Sequence, residues 1–326
     1  MTDRSTRLTI ALGGDVMLGR GVAEALAARS PADVWSPDLR GVLAEADLVV
    51  VNLECCISER GEPWDPGHKP FHFRAPPRAI EALSAVGVGA VWLANNHALD
   101  FGPAALEDTL DLLDDAGITV VGAGRDLDAA RTGRVVEAGG RRIGMIAFAD
   151  HPADFAAAPD RPGIAWTDIV RGAPGWLMDE VARLAPQCDI VIAGPHWGPN
   201  MTTEPRDRHR TVAADLVAAG IGALAGHSAH VVHGVGILDE IPICYDLGDL
   251  LDDYAVDPVL RNDLGMLALL RPGERLELVP LRLEFARTTL ARGTDLETIT
   301  DRVVRASRAM GTDIRLDGGR LVVDLA

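Results

Sequence analysis

Short apolar runs alternate with amphipathic segments along the first two thirds of the chain. Six of the apolar runs predict strands: Leu8–Gly13, Ala46–Leu53, Val88–Ala94, Ile118–Val121, Asp189–Ala193 and Ile221–Ala225. Five segments have the apolar spacing of helices: Gly21–Arg29, Pro77–Val86, Pro103–Ala116, Gly175–Leu184 and Asp207–Ala219. The continuous β-branched run Ala46–Leu53 is typical of a strand buried on both faces. The alternation predicts βαβ units in a layered α/β fold.

The chain also contains a predicted hairpin and, from Val231 onward, a region richer in predicted strands. Arg134–Ala149 predicts a hairpin that turns at Gly139-Gly140. Four further runs predict strands: Val231–Leu238, Ile241–Tyr245, Leu264–Leu270 and Arg275–Phe285. A helix over Leu296–Met310 and a hairpin through Asp317-Gly318-Gly319 end the chain. Because no long linker rich in Pro, Gly or Ser interrupts the pattern, we expect one catalytic domain over residues 1–290 and a small helix–hairpin appendage over residues 291–326.

Polar residues with metal-binding side chains follow most of the predicted strands. Taken in chain order, these residues are Asp15, Asn52, Glu54, Asn95, Asn96, His97, Asp150, His151, His196, His227 and His230. The carboxyl ends of strands in an α/β sheet lie together and collect ligands, so we expect these side chains at one edge. Carboxylate, amide and imidazole groups together suit a divalent metal ion.

Each of these residues also has a simpler explanation when it is taken alone. Asp15 can cap a helix, and Asn95-Asn96-His97 can form a turn. His227 and His230 can be solvated loop residues. However, six separate segments bring Asp, Glu, Asn or His to the same edge. A shared metal site explains this better than six unrelated local explanations do.

Other polar and sulfur-containing residues are given structural interpretations. Cys55 and Cys56, beside Glu54, are interpreted as buried spacers rather than nucleophiles. His209 is interpreted as a polar position on a helix, and His233 as part of a strand. His68 and His72 lie in the Pro-rich loop Glu62–Pro77, which is a candidate active-site lid.

The composition narrows the class of partner. The 326 residues carry 31 basic and 48 acidic side chains, a formal net charge of −17. This balance argues against binding to nucleic acid or to an anionic membrane surface. The sequence shows no signal peptide and no run long enough for a transmembrane helix, and its four cysteines are scattered, which together predict a cytoplasmic protein with reduced thiols.

Several motifs resemble the CapA family of bacterial capsule (poly-γ-glutamate) synthesis proteins. They occur in the family's order and cover roughly residues 8–255: GDVMLGR (14–20), VNLE (51–54), FRAPP (73–77), LANNHALDFG (93–102), VGAGRD (121–126), HWG (196–198), AGHSAHVVHGV (225–235) and YDLGDLLDD (245–253). LANNHALDFG is very specific, whereas GDVMLGR alone is weaker. The resemblance implies a calcineurin-like metallophosphatase fold with α/β/β/α layers.

The resemblance also implies roles for individual residues. The implied metal ligands are Asp15, Glu54, Asn96, His196 and His230. His97 matches the His of the metallophosphatase asparagine–histidine motif, which works as an acid or base. Asp100 follows three residues later and is expected to hold the imidazole of His97.

Departures from the family pattern bear on the number of metal ions. Two-metal metallophosphatases usually begin with Asp-x-His, but Val16 and Met17 follow Asp15, and Ser228 replaces one imidazole of the family's histidine run. A single divalent ion is therefore expected. The acidic residues Asp246 and Asp249 favour Ca²⁺, Mg²⁺ or Mn²⁺, with Zn²⁺ or Fe as alternatives.

Three functions remain open from the sequence. The first is epimerisation of a peptide α-carbon, as in soluble lasso-peptide epimerases of this family, with His97 and Asp100 as one acid/base pair. One of His227 or His230 would then pair with Asp246 or Asp249, and His227, His230 and Asp249 are the residues we favour. The second is metal-dependent hydrolysis of a phosphoester or a γ-glutamyl amide, and the third is a non-enzymatic role in capsule assembly. The departures from the family's metal-ligand pattern and the lack of a recognisable membrane anchor favour epimerisation. A peptide or small molecule is the expected partner, and the oligomeric state stays open.

Overall fold

The computed structural model describes residues 7–65 and 67–325. The strands are β1 (Ile10–Val16), β2 (Leu48–Leu53), β3 (Cys56–Ile57), β4 (Arg74–Ala75), β5 (Val88–Trp92), β6 (Thr119–Val121), β7 (Ala123–Gly124), β8 (Arg134–Ala138), β9 (Arg141–Ala149), β10 (Gly163–Ile164), β11 (Ile190–His196), β12 (Ala223–Ala225), β13 (Val235–Leu238), β14 (Ile241–Cys244), β15 (Asp249–Leu251), β16 (Leu264–Arg271), β17 (Arg275–Glu284), β18 (Arg287–Leu290), β19 (Arg315–Asp317) and β20 (Arg320–Asp324). The helices are α1 (Arg20–Ala28), α2 (Pro37–Leu43), α3 (Ile80–Ser84), α4 (Gly102–Asp115), α5 (Leu127–Arg131), α6 (Gly175–Leu184), α7 (Asp207–Ala219) and α8 (Gly293–Ala309).

Two large sheets form the centre of the molecule. The larger sheet has the order β19-β20-β17-β16-β1-β2-β5-β6, with β15 added beside β1 and β18 beside β17. The second sheet has the order β13-β14-β12-β11-β9-β8. Each sheet contains four neighbouring parallel strands: β1, β2, β5 and β6 in the larger one, and β9, β11, β12 and β14 in the second.

Side chains that alternate along the strands of the second sheet separate two apolar cores. Met145 and Ala147 of β9 join the core shared with the larger sheet. Ile146 and Phe148 point to the other face and join the core beneath α6 and α7. Helices α3 and α4 pack against β5 and β6 of the larger sheet. The layers therefore run α/β/β/α, and the predicted fold class is confirmed.

Most of the predicted elements are present. Helices α6 and α7 have the predicted bounds, and the hairpin β8–β9 turns at Gly139-Gly140, both at positive φ. Pro77–Val86 is shorter than predicted, because a 3-10 turn over Pro77–Ala79 precedes α3 and the chain reaches Gly87 at φ +70° soon after it.

Two predicted strand boundaries are wrong in a way that affects the site. The first strand does not end at Gly13 but continues to Val16, since its backbone also pairs with β2 and β15, so Asp15 lies within β1. The strand predicted from Val231 begins only at Val235, whose N–H donates to Ser307 Oγ of α8 (2.9 Å). His233 therefore lies in a loop and not in a strand.

The C-terminal residues form the predicted helix and hairpin. Strand β20 pairs antiparallel with β17 at one side of the larger sheet, and Leu321 and Val323 belong to its core. The boundary at residue 290 stays a prediction. Within the described ranges, no helix is long and apolar enough to cross a membrane.

Candidate metal centre

Strand register in the larger sheet places three polar side chains next to one another. Asp15 of β1 lies opposite Asn52 of β2 on one side and opposite Asp249 of β15 on the other. Asn52 Nδ2 donates to Asp15 Oδ1 (2.6 Å), and Asn95 Nδ2 donates to Asn52 Oδ1 (3.1 Å). All four side chains are buried. The amides thus orient the Asp15 carboxylate from within the sheet.

The second sheet contributes two histidines to the same place. His196 is the last residue of β11, and an isolated bridge holds His227 beside it. Their Nδ1 atoms lie 2.8 Å apart, and Nδ1 of His227 lies 3.7 Å from Asp15 Oδ1. The carboxyl ends of strands from both sheets therefore meet at Asp15, as the sequence predicted for this edge.

The loop that follows β12 carries His230 and has an unusual backbone. Ser228 and His230 have φ of +114° and +59°, a region that costs free energy for residues other than Gly. Ser228 Oγ donates to Gly198 O (3.1 Å), and Ala229 N donates to Asp246 Oδ2 (2.7 Å). The Asp246 carboxylate therefore holds the loop backbone, and it pairs with none of the histidines in the part of the chain that the structure describes. The histidine–carboxylate pair is His230 with Asp249, 2.8 Å from Nδ1 to Oδ1.

Two groups of side chains can hold metal ions, and Asp15 belongs to both. One group is Asp15, His196 and His227; the other is Asp15, Glu54, His230 and Asp249. Within each group the candidate ligand atoms lie within 4.8 Å of one another. His227, which the sequence assigned to acid/base work, is thus placed with the ligands of the first group.

Buried polar atoms at the centre fit a cation. Several have no hydrogen-bond partner among the described residues: Asp15 Oδ2, Glu54 Oε1, Asn96 Oδ1, His196 Nε2, His227 Nε2 and Asp249 Oδ2. Buried acceptors without partners are costly, and a divalent ion would satisfy them. The residues therefore fit a metal ion. Because there are two ligand groups, the number of ions is not fixed by the geometry, and the single ion expected from the sequence stays a prediction.

Crowding of carboxylates perturbs the titration of the second group. Burial and the neighbouring Asp15 raise the pKa of Glu54 well above its usual value. Burial alone would lower the pKa of His230, but the Asp249 and Glu54 carboxylates raise it well above its usual value. In the protein without an ion, a proton on His230 therefore compensates part of the excess negative charge.

The histidines of the first group respond in the opposite direction. Burial and the charge of His227 lower the pKa of His196 well below its usual value. Burial lowers the pKa of His227 to about 4, against the opposing effect of Asp15. Neutral imidazoles are the form that binds metal ions, so this group is suited to an ion at neutral pH.

His97 and Asp100 form a second histidine–carboxylate pair near the metal centre. Nδ1 of His97 lies 2.6 Å from Asp100 Oδ2, and the Phe73 ring stacks on the imidazole at a centroid distance of 3.9 Å. Asp100 also accepts from Phe73 N (2.6 Å) and lies 3.1 Å from Lys69 Nζ. Burial lowers the pKa of His97 to about 4, although Asp100 opposes the shift.

Two residues of this region, Lys69 and Tyr254, were not found by sequence reasoning. Lys69, the only lysine in the chain, donates to Asn96 O (2.6 Å) from the predicted lid, and its rarity was a usable signal. Tyr254 donates its hydroxyl to Glu54 Oε2 (2.8 Å). His151, which the sequence did place at this edge, pairs with Asp150, and its ring centroid lies 5.4 Å from that of His196.

The remaining structural interpretations are settled in part. His209 lies on helix α7, as interpreted, but it is buried there and stacks on Trp197 at a centroid distance of 4.9 Å, because α7 turns this face to the core. Cys55 and Cys56 are buried, as interpreted, and burial raises the pKa of the Cys56 thiol to about 12.

A cavity of about 230 Å³ opens beside His97 and His230. Its lining residues are Arg20, Phe71, Phe73, His97, Asn200, Met201, His230, Tyr254, Ala255 and Asn262. Phe71 comes from the Pro-rich loop predicted as a lid, so that loop forms part of the cavity wall.

Comparison with known proteins identifies the family. Residues 9–254 match the bacterial capsule synthesis protein PGA_cap family, and the chain belongs to this family. The predicted resemblance is thereby confirmed. The chain is 35% identical over 357 residues to the probable polyglutamine synthesis accessory protein of Mycobacterium tuberculosis, covering 93% of this chain and 92% of that one. It is 25% identical over 322 residues to the PGA biosynthesis protein CapA of Bacillus subtilis, covering 98% and 82%.

A solved structure overlaps the chain more loosely. A hypothetical protein from Thermus thermophilus superposes with a TM-score of 0.46 at 15% identity, covering 86% of this chain and 96% of that one. The fold of this chain is defined by its own strand order and layers, independently of that superposition.

Proposed function

We propose that this protein is a metal-dependent acid/base enzyme acting on a peptide, and that its reaction is epimerisation at the α-carbon of a residue in a ribosomal, lasso-type peptide. Two histidine–carboxylate pairs on one cavity carry the proposal. His97 is backed by Asp100, His230 is backed by Asp249, and both imidazoles line the 230 Å³ cavity. Inverting an α-carbon requires a proton acceptor on one face and a proton donor on the other.

The two pairs divide the work of the reaction. One imidazole takes the α-proton as the Cα–H bond breaks, and the other, protonated, delivers a proton to the opposite face. Asp100 contacts Nδ1 of His97, which leaves Nε2 as the nitrogen that exchanges the proton. A divalent ion held by Asp15, His196 and His227 would supply positive charge near the substrate carbonyl oxygen.

Solvent deuterium exchange tests this proposal. A panel of linear peptides, incubated with the metal-loaded enzyme in D₂O, is expected to acquire deuterium at one α-carbon and the D-configuration at that residue. His97→Gln and His230→Gln are each expected to lower the rate by roughly 100-fold or more. His68→Gln, a change at an exposed histidine of the loop, is the matched control and should keep the rate. Unchanged exchange in both active-site variants would refute the proposal.

A second candidate function is supported by the shared position of Asp15. One carboxylate common to two ligand groups is an arrangement that can hold two ions, and paired ions promote hydrolysis by binding both the attacking and the leaving oxygen. The relatives are named for polyglutamine and PGA synthesis. Under this alternative the substrate is a γ-glutamyl amide or a phosphoester of capsule metabolism, and His97 protonates the leaving group.

The two functions assign His230 differently, and this separates them. Epimerisation requires His230 to exchange protons, so His230→Gln should lose exchange and keep its metal content. Hydrolysis uses His230 as a ligand, so the same variant should lose one metal ion per chain and release less product from γ-glutamyl peptides or phosphoesters. Metal analysis by mass spectrometry, with both assays on the same preparation, decides between them.

A further inference from the structure

The cavity beside the two histidine–carboxylate pairs has an unusual charge for this molecule. The whole chain has a formal net charge of −17, yet among the described residues that line the cavity there is no carboxylate. Arg20 is the one lining side chain that is charged at every accessible pH. Phe71, Phe73, Met201 and Tyr254 make most of the remaining wall apolar. A permanently charged guanidinium on a largely apolar wall favours a ligand that carries both an anionic and an apolar group.

The Arg20 guanidinium is held in place before any ligand arrives. Its Cζ lies 5.4 Å from the ring centroid of Phe73 and 5.9 Å from those of Phe71 and Tyr254. Nη2 lies 3.1 Å from Asp253 Oδ1, and the other oxygen of this nearly buried carboxylate accepts from Gly21 N (2.7 Å). A guanidinium carries five N–H donors, so one contact with Asp253 leaves others available.

The backbone at Arg20 also supports a functional role. Arg20 has φ of +49°, in the left-handed region that glycine adopts at lower cost. Its side chain is 39% exposed and not part of the core. Strain of this kind at a non-glycine residue persists only where the surrounding structure holds it, and residues strained in this way cluster at functional sites.

We propose that Arg20 binds a carboxylate of the substrate, so that this cavity accepts a peptide with a free carboxylate next to the reacting residue. This inference rests on the proposed function and names the substrate class for it. One guanidinium on a largely apolar wall matches the single negative charge of a carboxylate, which it can bind bidentately, better than the double charge of a phosphate dianion. Lys69 is not available as a second cation, since it contacts Asp100 and the Asn96 carbonyl.

Calorimetric binding of matched peptide pairs tests the inference. The first pair is N-acetyl-Ala-Ala-Phe with a free carboxyl and the same peptide as its amide. The second pair is N-acetyl-Ala-Glu-Ala-amide and N-acetyl-Ala-Gln-Ala-amide. Titrations use the metal-loaded His97→Gln protein, which prevents turnover, alone and combined with Arg20→Gln or Arg20→Lys. Arg125→Gln is the matched control, because Arg125 also pairs with a carboxylate, Asp111, but does not line this cavity.

In at least one pair the acid is expected to bind about tenfold more tightly than its neutral partner. Arg20→Gln should remove this preference without weakening the neutral peptide, Arg20→Lys should keep part of it, and Arg125→Gln should keep all of it. The pair that shows the preference identifies a C-terminal or a side-chain carboxylate. Equal binding of acid and neutral peptides, no binding at all, equal losses for both in Arg20→Gln, or stronger competition by inorganic phosphate would overturn the inference.

The two proposals fail in different ways. Arg20-dependent preference for acids, combined with no exchange or hydrolysis of any peptide, would refute the proposed function and leave this inference standing. Turnover that depends on His97 but shows the same acid preference in Arg20→Gln would refute only the role of Arg20.

Discussion

Asp15 is the residue on which both ligand groups depend. It lies in β1, contacts Asn52 in β2, and lies within 3.7 Å of both His227 and His230 from the second sheet. Replacing it by Asn keeps the shape and removes the charge. Loss of a residue that only hydrogen-bonds to a metal ligand lowers metal affinity by roughly 10–100-fold. Because Asp15 is itself a ligand in both groups, we expect Asp15→Asn to lower the affinity for every bound ion by more than that. Metal content per chain after desalting, measured by mass spectrometry, checks this.

Two further variants sharpen that measurement. Glu54→Gln touches only the second ligand group, so it should cost at most one ion. Asp108 lies on helix α4 and pairs with Arg60, away from both ligand groups, so Asp108→Asn should not lower the number of bound metal ions. An Asp15→Asn protein with the wild-type metal content would show that the ligand groups are wrongly assigned.

His233 is a buried histidine outside the metal centre, and it makes stability depend on pH. It is 5% exposed, and burial lowers its pKa to about 4 from the usual 6.5, although Nε2 can donate to Thr202 O (3.0 Å). Between pH 6.5 and 4 the unfolded chain binds a proton here that the folded protein does not, so stability falls as pH falls through this window. The expected loss approaches about 1.4 kcal/mol per pH unit from this residue.

Comparison with His233→Gln isolates that contribution. Urea unfolding of both proteins from about pH 7 to about pH 4.5, with a chelator present, should show a shallower decline of unfolding free energy in the variant. The histidines of the metal centre are the same in both proteins, so the difference between the two curves reports His233 together with its electrostatic effect on His209. Parallel curves would mean that His233 is protonated in the folded protein at the same pH as in the unfolded chain.

Residues of the candidate site divide into those that sequence could predict and those that it could not. Asp15, Glu54 and His196 stand where strands end, and that position has a general cause in α/β sheets. The sequence left open whether His227 or His230 pairs with Asp246 or Asp249, because the answer depends on left-handed backbone at Ser228 and His230. Tyr254 contacts Glu54 across 200 residues of sequence, and no local pattern indicates such a contact.

At the scale of elements, local periodicity predicted type and order well. Helices α6 and α7 begin and end where the sequence places them, since their apolar faces and flanking residues are local signals. The ends of β1 and β13 could not be found in this way. The end of β1 depends on pairing with β15, which is far away in the sequence, and the start of β13 depends on contact with α8. Both are tertiary effects that override local preference.

Strand β11 illustrates how closely the sheets approach. Gly194 lies two residues before His196, and a Cβ added there would clash with the ring of Trp92 in β5 of the other sheet. We expect Gly194→Ala to lower the free energy of unfolding by about 1–3 kcal/mol, as overpacked cores do. Denaturant unfolding followed by tryptophan fluorescence measures the change.

Gly175 provides the matched control for that substitution. It starts α6, no atom lies near its added Cβ, and its φ is not positive. Gly175→Ala is expected to leave stability unchanged or raise it by up to about 1 kcal/mol. Equal stability of the two alanine variants would show that the sheets can separate at no cost to accommodate a methyl group.

At the scale of the whole molecule, one core joins the two sheets and reaches the C-terminal hairpin. The same cluster of buried residues includes Leu12 of β1, Ile192 of β11 and Leu321 of β20. The metal centre lies where the two sheets meet, with ligands from both, so its geometry depends on how they pack. We therefore expect a destabilising substitution in the hairpin to lower the stability of the whole domain, including the metal site.

Leu321→Ala tests whether the hairpin belongs to the same cooperative unit. Leu321 is fully buried against β17, whereas Leu316, on the paired strand β19, is 54% exposed. We expect Leu321→Ala to lower the free energy of unfolding by about 2–5 kcal/mol in a single transition seen equally by fluorescence and by metal release. Leu316→Ala should change it by less than about 0.5 kcal/mol. Two separate transitions, with only the smaller one shifted by Leu321→Ala, would instead support residues 291–326 as an independent appendage.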